Sequence, residues 1–183
     1  QALGTALGGL VLGIHLGMLL LKRTSAERFV LIKMPMWLAH VGLAMLILGV
    51  SLLSTFEKEQ DVILSLNQST LLEGYRFTLK TLEETKAGNY EGVRTKILVA
   101  RDGKTIANLA PEKRYYFFQE MALSETAIKP GFITDIYVAL GEPLEEGWSM
   151  RLYIKPFIRW IWFGGLCMAF AAFISAFRLK REF

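Results

Sequence analysis

Two imidazoles and one thiol are the groups in this sequence best suited to ligate a metal or move a proton, and all three lie in apolar runs. His15 and His40 are its two histidines and Cys167 is its one cysteine. The charged middle of the chain, residues 56–155, contains neither residue type. That excludes a disulfide framework, a CxxC redox pair, a Cys/His zinc cluster and a Ser–His–Asp triad from that region. The sequence also lacks a Walker loop, a dinucleotide-binding glycine fingerprint and an HExxH motif. Glu83-Glu84 and Glu145-Glu146 put carboxylates side by side, but in turn-like contexts that read as solvated loops rather than acid–base machinery. What remains is His40. An ionisable side chain inside an apolar helix costs a few kcal/mol (about 2–4) unless it faces protein, water or a ligand. Haem ligation, a proton relay and packing against a neighbouring helix would each explain it, and composition leaves all three open.

The element that positions His40 is an apolar run. Residues 34–55 contain no Asp, Glu, Lys or Arg, and about 20 helical residues cross a hydrocarbon core of roughly 30 Å. Pro35 is expected to start this helix, where its missing N–H costs little. At 100° per residue His40 shares a side with Ala44, Ile47 and Ser51, two of them small, which leaves room beside the imidazole for a flat, bulky group. Residues 1–21 form a first apolar run with glycines at 4, 8, 9, 13 and 17, the small-residue spacing that lets helices approach closely in lipid. His15 lies on the side of Gly4 and Gly8. It reads as a histidine hydrogen-bonded to a neighbouring helix, with haem or substrate contact as the other reading. Residues 157–177 form a third run, in which Arg159 is the one charged residue and Trp160 and Trp162 mark an interfacial belt.

Charge sets the expected topology. Lys22, Arg23, Arg28 and Lys33 against Glu27 make the loop after the first run basic, and Arg178, Lys180 and Arg181 against Glu182 do the same for the tail. Short basic segments stay in the cytoplasm, so the intervening module is expected in the periplasm. That module has 13 basic and 15 acidic residues, so the pI near 9.2 reflects topology and not nucleic-acid binding. The sequence starts with Gln, and its first run lacks a basic leader. It reads as part of a longer membrane protein rather than as a signal peptide.

The expected organisation is therefore two membrane helices at about 2–21 and 35–55 with a basic cytoplasmic loop, a β domain at 56–155, and a final helix with a basic tail at 156–183. Within 56–155 the pattern alternates. Tyr75, Phe77 and Leu79 interleave with Arg76, Thr78 and Lys80, and Val93, Thr95, Ile97 and Val99 with Arg94, Lys96 and Leu98. Asp102-Gly103 is a two-residue hairpin signal, and turns are also expected at 87–89, 141–143 and 146–147. Further strands are expected at 61–66, 115–119, 132–140 and 148–154. An antiparallel β-sandwich or small barrel follows, set between the second and third membrane helices.

Four stretches then carry a resemblance. Leu38-Ala39-His40-Val41-Gly42, Pro111-Glu112-Lys113-Arg114-Tyr115-Tyr116, Asp135-Ile136-Tyr137-Val138-Ala139-Leu140-Gly141-Glu142 and Lys155-Pro156-Phe157-Ile158-Arg159-Trp160-Ile161-Trp162 stand in this order around the β module. In this the chain resembles the haem lyase subunit of bacterial system I cytochrome c maturation, the CcmF/NrfE group, over nearly its whole length. The resemblance implies an inner-membrane, multi-pass protein of which this is the C-terminal part. It implies that His40 is an axial ligand to a b-type haem whose second histidine lies outside this chain, and that this haem helps keep incoming haem iron reduced. It further implies transfer of haem from a periplasmic haem chaperone to the CxxCH cysteines of apocytochrome c. Partners would be the remaining membrane part of the lyase, the chaperone, apocytochrome c with its thiol-handling proteins, and membrane lipid. The family's Trp-rich external segment and its two flanking histidines have no counterpart here, so the chain is expected to be catalytically incomplete by itself. His15 matches no family ligand. The β domain brings no family catalytic residue, which leaves a membrane-tethered scaffold or docking domain as the alternative function. Lys113-Arg114-Tyr115-Tyr116-Phe117-Phe118 is its candidate contact surface, with a core strand as the competing reading.

Overall fold

The computed structural model describes the backbone of residues 2–21 and 27–182, with side chains at 4–11, 13–14 and 34–177. The side chains of His15, of the basic residues Lys22, Arg23, Arg28 and Lys33, and of the tail residues Arg178, Lys180 and Arg181 lie outside the described residues. The chain divides into two compact units, residues 1–56 with 156–183 and residues 57–155.

The first unit is helical: α1 (Ala2–Leu21), α2 (Glu27–Phe56) and α3 (Ile158–Glu182). Met34–Phe56 and Ile158–Phe177 are long and apolar enough to cross a membrane. Helix α2 begins at Glu27 rather than near residue 35, so Pro35 lies within the helix rather than starting it, and Arg28 and Lys33 of the expected basic loop belong to its first turns. Proline there removes one intrahelical donor, and a helix that continues on both sides tolerates the loss of a single bond. The uncharged segment still starts where composition places it. Glycines set the helix contacts. A Cβ on Gly42 would lie 2.6 Å from the Gly164 carbonyl oxygen, and one on Gly164 would lie 2.5 Å from that of Gly42. On another side of α2, a Cβ on Gly8 of α1 would lie 2.6 Å from Leu48. A side chain at any of these positions would force the backbones apart.

The second unit is a two-sheet β structure. Its strands are β1 (Lys58–Leu64), β2 (Ser69–Leu72), β3 (Tyr75–Ala87), β4 (Tyr90–Arg101), β5 (Lys104–Leu109), β6 (Glu112–Tyr116), β7 (Met121–Glu125), β8 (Ala127–Lys129), β9 (Thr134–Leu144) and β10 (Gly147–Pro156). One sheet has the order β1-β10-β9-β8. The other has the order β2-β3-β4-β6-β7, with β5 also paired to β4. Alternation along β3 and β4 turns Phe77, Leu79, Ile97 and Val99 inward against Val138, Leu140, Met150 and Leu152, all of them fully buried. The Asp102-Gly103 hairpin forms, with both residues in the left-handed region (φ 51° and 74°) that its tight turn requires.

Further local expectations differ, and Glu83-Glu84, read as a turn-like loop pair, lies inside β3. Gly141-Glu142-Pro143 is not a turn but lies inside β9. A Cβ on Gly141 would meet the Ser149 side chain of neighbouring β10 at 2.9 Å, so this glycine permits close strand approach. The third helix starts at Ile158 rather than Pro156, because β10 runs through Pro156 and the chain turns at Phe157 (φ 60°).

Candidate functional site

His40 lies on α2, one turn after Met36. Its Nδ1 is 2.7 Å from the Met36 carbonyl oxygen. A carbonyl only accepts, so Nδ1 carries the proton, and in the neutral ring the lone pair is then on Nε2. Metal-ligating histidines are commonly held this way, by a hydrogen bond from the second nitrogen to a backbone carbonyl. The residue is exposed on the helical unit, whereas Gly42, one position past Val41, is buried against α3.

The small residues on the side of His40 do not leave a void. Ala44 is fully buried, and a Cβ on Gly4 of α1 would lie 2.2 Å from Ser51 Oγ. Helix α1 occupies the space that spacing alone assigns to a bulky group, because small residues on α2 face small residues on α1. A flat ligand at His40 would therefore have to approach at the level of the imidazole itself. Among the described residues no three His, Cys, Asp or Glu side chains converge on a metal-sized site, so a metal at His40 would take its remaining ligands from outside them.

The aromatic-basic run of the β unit separates into two parts. Its charges are matched locally. Glu112 is buried and accepts hydrogen bonds from Arg94 Nε and, at 2.7 Å, from Arg114 Nε. Burial opposes the charge on Glu112, but the hydrogen bonds from Arg114 and Arg94, with their positive charges, outweigh it and hold the carboxyl below the ordinary carboxylate range. The Arg114 guanidinium also lies 4.6 Å over the Tyr90 ring, and Lys113 pairs with Glu142 at 2.7 Å. The aromatic part faces out: Tyr115 and Phe117 stand edge to face at 6.4 Å, and Phe118 is 94% exposed. Strand β6 ends at Tyr116, so Phe117 and Phe118 belong to the following turn rather than to a strand reaching residue 119. Sequence reasoning missed the Arg94–Glu112 pair, because eighteen residues separate partners that only β4–β6 pairing brings together.

Residues 55–156 match the family model described as the CcmF C-terminal beta-sandwich. The chain is 44% identical over 150 residues to the cytochrome c-type biogenesis protein CcmF of Pseudomonas aeruginosa, covering 79% of this chain and 23% of that protein. It is 43% identical over 140 residues to CcmF of Escherichia coli, covering 76% and 22%. It is 36% identical over 148 residues to the cytochrome c-type biogenesis protein NrfE of Haemophilus influenzae, covering 80% and 23%. The chain thus spans less than a quarter of the length of these relatives. A solved structure described as cytochrome c heme lyase CcmF superposes with a TM-score of 0.74 over 94% of this chain and 32% of its own, at 20% identity, a likeness of fold. The match over the whole β unit, more than half of the chain, shows that the chain belongs to the CcmF C-terminal beta-sandwich family.

Proposed function

We propose that this chain is the C-terminal part of a bacterial cytochrome c haem lyase, and that His40 is an axial ligand to a b-type haem held within the membrane. In this reading three helices span the inner membrane and the β unit lies in the periplasm. The second axial histidine, and the groups that hold the haem being transferred, lie in the remainder of the protein. The whole assembly would take haem from a periplasmic chaperone and join it to the CxxCH cysteines of apocytochrome c.

The observation that carries this reading is the orientation of the His40 ring. The Met36 carbonyl holds the Nδ1 proton, so the neutral ring presents the coordinating lone pair at Nε2. The bound haem would supply one-electron chemistry that keeps incoming iron reduced. His40 fixes that group's position from α2, seven residues past Lys33, the last charged residue before the uncharged segment, and therefore roughly 10 Å from it along the helix. This depth is on the side away from a periplasmic site of thioether formation. It fits a ligand to an electron carrier and not a group that attacks substrate.

The test uses the complete lyase containing this chain. His40→Gly should lose the reduced b-type haem spectrum, and added imidazole should restore part of it. Full haem content in that variant without imidazole sinks the ligand assignment. A second reading, a membrane-tethered docking or scaffolding domain, is favoured by the outward-facing Tyr115, Phe117 and Phe118. It expects cytochrome c to mature normally with His40→Gly and to fail when these aromatics are replaced by serine.

A further inference from the structure

We infer that the β8–β9 turn, Pro130-Gly131-Phe132-Ile133, is a membrane-docking tip that seats two apolar side chains in the headgroup–acyl boundary of the bilayer. The inference rests on the reading that α2 and α3 span that bilayer. Phe132 is 84% exposed and Ile133 is 55% exposed, and Ile128 on the preceding edge strand is exposed as well. The turn that presents them is built. The Gly131 N–H donates to Oδ1 of buried Asp135 at 2.8 Å. A Cβ on Gly131 would sit 2.2 Å from the Thr134 carbonyl oxygen, so the backbone closes tightly on itself.

Topology within the β unit places this tip. Strands β9 and β10 are neighbours joined through Glu145-Glu146, so the start of β9 and the end of β10 share one end of the sheet. Strand β1 pairs antiparallel with β10, Lys58 opposite Ile154, so its start lies at that end too. Phe132 and Ile133 therefore stand at the sheet end from which the chain leaves for both apolar helices. Glu57 alone separates β1 from α2, and Phe157 alone separates β10 from α3. At about 3.5 Å per residue such connections keep this end close to the membrane surface.

The surrounding chemistry suits a lipid interface. Lys155 Nζ lies 4.8 Å from the centre of the Tyr153 ring and 5.6 Å from that of Tyr137. Tyr137 in turn pairs with Ile128 across β8–β9. Tyrosines and lysines around an apolar tip are the composition of a membrane–water boundary. The nearby carboxylates are engaged: Glu57 pairs with Lys155 at 2.8 Å, and Asp135 holds the turn. Phe118 provides an internal contrast. The Ser124 hydroxyl donates to the Leu140 carbonyl, and Lys129 pairs with Ile136, so the β6–β7 turn bearing Phe118 lies toward the other end of β9.

The experiment places one environment-sensitive fluorophore at a time on the full chain in phospholipid nanodiscs, in a Cys167→Ala background. The labelled variants are Phe132→Cys, Phe118→Cys and, within α3, Trp162→Cys. Each is required to retain the β-sheet circular dichroism of the parent. The labels at positions 132 and 162 should emit to the blue of that at 118, and lipids carrying a shallow doxyl quencher should quench them and leave that at 118 unchanged. A quenched label at 162 with an unquenched one at 132 overturns the tip and leaves the spans standing. Unquenched labels at both positions overturn the spans and the tip together. Equal quenching at 118 and 132 also overturns the proposal, because the tip would then not be the specific lipid contact.

Discussion

At Glu112 two effects oppose each other, and magnitude decides between them. Burial disfavours the carboxylate, while hydrogen bonds from Arg114 and Arg94 and their charges favour it more strongly, so the group titrates below its ordinary range in the folded protein. A depressed folded pKa contributes stability that is present above the unfolded value and is lost as pH falls through the folded one. Glu112→Gln should therefore destabilise the β unit at neutral pH by about 2 kcal/mol, the scale of a hydrogen bond to a charged group. The gap between variant and parent, read as urea midpoints of the full chain in detergent, should close as pH drops below the carboxylate range. A gap that stays constant down to acid pH contradicts this account. Glu112 and His40 also show what a sequence reveals at this scale. His40 is conspicuous because an imidazole is rare in an uncharged run of membrane length. Glu112 looks like any surface carboxylate, because Arg94 reaches it only through strand pairing. The tautomer of His40 likewise needs the helix geometry that puts its ring on the Met36 carbonyl.

At the scale of elements, period and turn chemistry were legible where local rules govern. The alternation of β3 and β4 and the hairpin at Asp102-Gly103 follow from side-chain period and from φ > 0 at the turn. The rules mislead where a neighbour sets the meaning of a residue. Gly141 reads as a turn but is a strand glycine pressed on Ser149, and Pro35 reads as a helix start but is carried inside α2. The glycines of the helices show the same dependence. Gly42 and Gly164 lie so close that neither tolerates a Cβ without displacement of the other backbone. Gly164→Ile should separate α2 from α3 and expose half-buried Cys167, whose side chain lies beside Gly42. Maleimide labelling of Cys167 in detergent should then be several times faster than in the parent, whereas Gly165→Ala, at a position with open space around it, should leave the rate unchanged. Equal rates in the parent and Gly164→Ile would show that the close approach does not control this interface.

For the whole molecule, orientation is the property on which the proposed function depends most. Thioether formation in the periplasm requires the β unit to face that compartment, and charge is the observation that supports this. The loop between the first two apolar runs and the C-terminal tail are both basic, while residues 56–155 carry a slight acidic excess, and short basic segments stay in the cytoplasm. The fold is compatible with this arrangement. The β unit begins at the start of β1 and ends at the end of β10, two positions paired at one end of a sheet, so both connections can return to the same membrane face. A single cysteine tests this in intact cells carrying the complete protein with Cys167→Ala. Gly88 lies in the β3–β4 turn with open space around it, so Gly88→Cys should react with a membrane-impermeant maleimide once the outer membrane is permeabilised. Lys180→Cys, in the basic tail, should react only after lysis. Reversed labelling would put the β unit in the cytoplasm, separate it from any periplasmic haem transfer, and place His40 near the opposite membrane surface. The same pair of labels would then dismiss the electron-relay argument from depth, while the haem content of His40→Gly would still decide ligation on its own.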